Sequence, residues 1–233
     1  MKIIKNVFKC IGLASWLFLI FAFMQVPSME STPLYSIDSQ KQFYEAFKQV
    51  NLLHNIVMMI IFTIVTFIME WFACIWLKNK LIFSKKVTLK SFFLALIAGI
   101  LTLILHILTM YSEVFPSKPD IYTETLKTPM AILVIMALVV IAPTLEELLF
   151  QGAIQKGVFR KLNPWIAIIL TAIIFAAAHN TTLNVSFFNR VFAGLLFGYI
   201  YQKTDDIKMA ILAHSLTNLF PLIIICVQVW KLI

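Results

Sequence analysis

An all-helical, polytopic membrane bundle of seven to eight spans is the fold that this 233-residue sequence predicts. Three observations carry that expectation. Apolar residues make up 61% of the chain against 13% charged, mean hydropathy is +0.92, and apolar runs about as long as a bilayer is thick recur from one end to the other. An ordinary soluble fold is excluded by such a composition. In lipid every backbone polar group must find its partner within the protein, and the alternating pattern of a transmembrane barrel is absent, which leaves helices.

The runs occupy residues 8–26, 56–77, 92–111, 130–150, 164–178, 187–201 and 209–230, with Pro221 able to divide the last in two. The first has a basic start like a secretory signal, but no small-residue cleavage site follows before Pro27, so it reads as a retained helix. Although the formal charge is +8, the lysines lie in short loops beside the apolar runs, where they act as topology signals and not as a nucleic-acid surface. With the N-terminus in the cytoplasm, thirteen of the nineteen basic residues fall on that side, and the bias alternates as seven spans require. The expected location is therefore the cell membrane, with the bilayer as a partner and no nucleic acid. Cys10, Cys74 and Cys226 stand alone inside apolar runs and read as soft packing residues.

Two parts differ in character. Residues 1–128 read as a transmembrane scaffold, in which His54, His106 and Glu70 are structural and Glu70, near the end of its run, can snorkel towards the headgroups. Residues 129–233 read as a catalytic helix bundle. Here Glu146, Glu147, Gln151, His179, Asn180, His214 and Asn218 interrupt segments otherwise fit for lipid. A charge at mid-bilayer costs roughly 2.5–3.5 kcal/mol, so this concentration implies a shared polar cavity between helices.

Adjacent Glu146 and Glu147 point about 100° apart on a helix, so one is expected to face the cavity. The other can turn to Gln151, four residues on, as support. A capping box of Thr144 with Glu147 after Pro143, starting a half-helix, is the structural alternative. His179 follows Phe175 by one turn, and His214 and Asn218 share one face. A carboxylate, two imidazoles and an amide from three helices are a set that can supply a general base and donors for an oxyanion, which is what hydrolysis needs.

In their order these residues resemble the motifs of the CPBP family, the CAAX-protease and bacteriocin-processing intramembrane proteases. The matching pieces are Glu146-Glu147 followed by Gly152, Phe175-x-x-x-His179 and His214-x-x-x-Asn218, with Gly194 and Gly198 on the helix between the last two; Gln151 stands where the family usually has arginine. The resemblance implies an endopeptidase acting on a membrane-associated or exported peptide or protein. It further implies that Glu146 and His179 activate water, that His214 and Asn218 stabilise the oxyanion, and that Glu147 supports them. No cofactor is expected, the alternative being a divalent metal such as zinc held by Glu146, His179 and His214. Two other functions fit the same residues: a catalytically silent membrane immunity or binding protein of that family, and a proton-coupled transporter using Glu146 and His179 as a relay.

Overall fold

A computed structural model describes residues 2–32, 45–79, 86–111 and 121–231, with side chains over 11–32, 45–79, 86–111 and 123–228. Among the described residues the regular elements are helices and none is a strand. They are α1 (Lys2–Glu30), α2 (Leu52–Trp76), α3 (Leu89–Thr109), a single turn α4 (Ile121–Thr125), α5 (Ala131–Val158), α6 (Pro164–His179), α7 (Val185–Thr204) and α8 (Ile207–Lys231). Each of the seven apolar runs lies on one of the seven long helices. Polar side chains start four of them: Asn51, Asn163 and Asn184 each accept a backbone N–H in the first turn, and Thr88 forms a capping box with Ser91.

Five helices are long and apolar enough to cross a membrane, namely Ile11–Glu30, Leu52–Trp76, Leu89–Thr109, Ala131–Val158 and Ile207–Gln228. Pro164–His179 is shorter and α7 more polar, so length and hydropathy alone do not reach seven spans. The outward faces are those of a protein in lipid: Ile60, Ile61, Ile64 and Phe72 on α2, and Ile97, Ile104 and Leu108 on α3, are all exposed. Pro221 does not divide the last helix, which continues through it. Of the three cysteines, Cys74 is buried with its thiol 3.7 Å from Leu148 O, Cys226 is half-buried and free, and the side chain of Cys10 lies outside the described residues.

The helices run alternately up and down, which gathers their ends at two faces. At one, Asn79 just after α2 donates to Gly152 O at 2.8 Å and to the Tyr201 hydroxyl at 3.2 Å, Arg160 donates to Leu77 O, and Lys156 pairs with Asp205 at 2.6 Å. At the other, Asn55 of α2 donates to Glu30 O at the end of α1, and Asn189 at the start of α7 donates to Thr109 at the end of α3.

Helix α5 is not uniform. It alternates α-helical Ala131–Met136 and Ala142–Glu147 with π-helical Ala137–Ile141 and Leu148–Val158. The first π segment carries the Ala142 N–H to Ala137 O, five residues back, so the same register would pair residue 143 with Leu138 O. Residue 143 is proline and has no N–H. The carbonyl left over is taken by Asn218 of α8, whose Nδ2 donates to Leu138 O at 2.9 Å. The alternative of a half-helix starting at Pro143 is therefore not met: α5 runs through, and Thr144 donates back to Val140 O instead of capping. The π register supplies the slack that lets the proline stay inside the helix.

Helix α8 is held against α3 at Gly99, where an added Cβ would stand 2.8 Å from the Cβ of Leu216, and by Thr102 and Thr217, whose hydroxyls are 2.8 Å apart. Gly99→Ala should therefore separate the two helices and lower stability by about 1–3 kcal/mol, measured as thermal unfolding in detergent. Asn218→Ala should cost about 1–3 kcal/mol by stranding the Leu138 carbonyl. In a Pro143→Ala background, where residue 143 regains a donor, the same replacement should cost clearly less; equal costs in both backgrounds would refute the capping role of Asn218.

Candidate active site

Glu146 and Glu147, side by side on α5, both reach His214 of α8. The buried Glu147 carboxylate has Oε1 2.8 Å from His214 Nδ1, and Glu146 Oε2 stands 3.8 Å from His214 Nε2. His179 closes the group from the end of α6, its Nε2 3.3 Å from the same Glu146 oxygen. Its other nitrogen, Nδ1, lies 2.8 Å from Phe175 O. A carbonyl can only accept, so Nδ1 carries a proton, and Nε2 faces the Glu146 carboxylate, to which it donates when the ring is doubly protonated.

Two phenyl rings hold the imidazoles in place. Phe197 stacks on His214 at 4.6 Å between centroids with planes 17° apart, and Phe175 meets His179 at 4.6 Å and the edge of His214 at 5.7 Å. Helix α7 can bring Phe197 this close because Gly194 faces Ala172 of α6, where a Cβ would lie 3.0 Å from Ala172 Cα, and Gly198 faces Gln155 and Gln151.

Glu146, His179, His214 and Asn218 line one cavity of about 440 Å³, within the range usual for ligand pockets, and Phe175 and Phe197 form part of its wall. Exposure falls with depth, from 27% for the His179 side chain through 13% for Glu146 to 6% for His214 and 0% for Glu147. The four residues expected to act together thus share a cavity, and Glu147 stands behind them. Asn180 does not join them; it is half-buried just after α6, bonded to Thr182 and Asn184.

Several expectations change. Gln151 lies within reach of the Glu147 carboxylate, whose short contact is with His214, and the Gln151 side-chain carbonyl also lies beside Gly198. Glu70 does not snorkel, being fully buried with neither oxygen hydrogen-bonded and close enough to Glu146 to act on it electrostatically. His106, read as structural, lines the cavity, as do Gln25 and Ser28 of α1.

In the sequence Arg190 counts only among the six basic residues on the side opposite the N-terminus. It sits one turn into α7, lines the cavity and acts electrostatically on both Glu146 and His179. Its Nε is buried without a hydrogen-bond partner. The signal for it was its place five residues into an apolar run's polar start, beside Asn189, which periodicity alone does not separate from a headgroup anchor. Among the described residues no group of three or more His, Cys, Asp or Glu side chains is arranged to hold a metal ion.

Comparison with known proteins bears on the same region. Residues 128–220 match the family model of the Rce1-like type II CAAX prenyl endopeptidases. Over 91 residues the chain is 28% identical to YdiL of Bacillus subtilis (strain 168), whose name gives it as a candidate membrane peptidase. That match takes in 39% of this chain and 36% of the relative, so the chain spans about a third of the length of the curated protein it resembles. No solved structure matches. The family match and the relative together support, for residues 128–220, the kinship with CPBP-type intramembrane proteases that the three motifs carry.

Proposed function

We propose that this protein is an intramembrane endopeptidase that hydrolyses a peptide bond of a membrane-associated or exported peptide, with Glu146 as the base. One observation carries the reading: a single Glu146 oxygen on the cavity wall faces the Nε2 atoms of two histidines, at 3.3 and 3.8 Å. In this reading α6 and α7 also cross the bilayer, completing seven spans, and residues 129–233 are the catalytic part.

The chemistry follows from the proton inventory. A water held in the cavity beside Glu146 and His179 gives a proton to the carboxylate as its oxygen bonds to the scissile carbonyl carbon. The carbonyl oxygen becomes negative and needs donors already in place. His214 can present Nε2–H to it in either proton arrangement of the Glu147 pair. If Glu147 is ionised, it accepts from Nδ1–H and stabilises the doubly protonated ring; if Glu147 is protonated, it donates to Nδ1 of the neutral ring, whose proton then sits on Nε2. Asn218 spends one N–H on Leu138 O and keeps the second for the oxyanion. When the C–N bond breaks, the proton held by Glu146 passes to the leaving nitrogen, which restores the carboxylate and releases acid and amine products.

Arg190 stands where a positive charge favours an ionised Glu146 or a negative oxygen of the substrate. It supplies from α7 a cation that Gln151 cannot supply from α5. This favours a working site over a silent binding protein.

Glu146→Gln should abolish cleavage while leaving expression and thermal unfolding close to wild type, checked by comparing the membrane and secreted peptides of cells carrying each form. Persistence of the same cleavage products in the variant would remove Glu146 from its role. Arg190→Gln should lower kcat/KM by about tenfold or more with little change in unfolding temperature, and Arg190→Lys should recover part of the loss.

A further inference from the structure

The geometry points to a catalytic cavity that opens at the membrane face opposite the N-terminus, so that the substrates are peptides presented outside the cytoplasm. The inference deepens the proposed endopeptidase function and rests on that reading for the word substrate; where the cavity opens is independent of it.

The first half of the argument is the position of the lining. Each polar group on the upper wall belongs to the same end of the bundle. Gln25 and Ser28 lie in the last two turns of α1, His106 in the last turn of α3, and His179 is the final residue of α6. Ser186, Asn189 and Arg190 lie in the first two turns of α7, and the lining of α8 extends from His214 up to Ile225 in its second half. This is the face where Asn55 meets Glu30 and Asn189 meets Thr109, the face at which α1 ends. The gradient of exposure agrees, because His179 at that end is the most accessible of the four acidic and imidazole groups and Glu147, nearer the other end of α5, is closed off. At the N-terminal face the bundle is sealed by Asn79, Gly152, Tyr201, Lys156 and Asp205, bonded across α2, α5 and α7.

The second half is the distribution of charge. Among the described residues, the termini and connections on the N-terminal face carry eleven Lys and Arg and two acidic residues, Asp205 and Asp206, whereas the opposite face carries four basic and three acidic residues. Basic residues in short connections are retained on the cytoplasmic side, which places the sealed face in the cytoplasm and the open one outside. A peptide already exported, or the outer end of a membrane-inserted one, reaches Glu146 from that side without crossing the bilayer core; a soluble cytoplasmic peptide does not.

The test is thiol accessibility in intact cells, with the full chain freed of Cys10, Cys74 and Cys226 by alanine replacement. Ser186→Cys at the mouth and Lys161→Cys on the exposed connection between α5 and α6 are each treated with a membrane-impermeant maleimide, before and after the membrane is permeabilised. Ser186→Cys should label in intact cells about tenfold more than Lys161→Cys, and permeabilisation should raise only the latter. Labelling of Lys161→Cys in intact cells, or of Ser186→Cys only after permeabilisation, would overturn the inference. Asn189→Cys, one turn along the same wall, replaces Ser186→Cys if that variant fails to accumulate. The readout does not involve cleavage: an external mouth in a protein whose deletion changes no membrane or secreted peptide would sink the peptidase reading alone, and an internal mouth in a protein whose cleavage is lost in Glu146→Gln would sink this inference alone.

Discussion

A charged carboxylate withdrawn wholly from water inside a lipid-embedded bundle is costly unless a fixed partner meets it, and the 2.8 Å contact between Glu147 and His214 supplies one at the site. Much of the site follows from that contact. It ties α5 to α8 at mid-bundle, sets which ring nitrogen of His214 faces inward, and leaves the neighbouring Glu146, rotated by one residue, to face the cavity and His179. The two glutamates are chemically alike and differ in what surrounds them. One is closed off behind an imidazole, and the other stands on a wall that water and substrate can reach.

Holding that contact requires an unusual helix. A regular α-helix through Pro143 would lose a hydrogen bond and meet a clash at the turn before, yet α5 passes through by changing register on either side of the Glu146-Glu147 pair. The displaced carbonyl of Leu138 is met by Asn218, so a residue that reads as a donor for chemistry also closes a backbone defect. The cost of the proline is thus offset by the same helix that brings His214. π-Helical segments are frequent at functional sites, and the reason is visible here: each one redirects the side chains that follow it.

The sequence made the helical class legible because composition and run length leave no other solution in lipid, and it made Glu146, Glu147, His179, His214 and Asn218 legible because polar groups in apolar runs are expensive. The partners of those residues were not legible. Counting four residues along a helix put Gln151 beside Glu147, but it could not find His214, which meets the same carboxylate at 2.8 Å. Glu70 and His106 looked structural because their runs carry no motif, and only the way α2 and α3 lie against the rest puts one behind Glu146 and the other on the cavity wall. Arg190 was hidden for a similar reason, since a basic residue near the start of an apolar helix is usually a headgroup anchor.

The aromatic rings around the imidazoles have one more implication. With Phe197 stacked flat on His214 and Phe175 wedged between His214 and His179, both imidazoles rest against phenyl rings buried in the core. Side chains so confined have given up their rotational freedom when the protein folds, and not when a peptide arrives. The arrangement that meets the transition state is already standing in the empty enzyme, so contacts made along the rest of a bound peptide are left to govern which peptide is chosen and how long it stays.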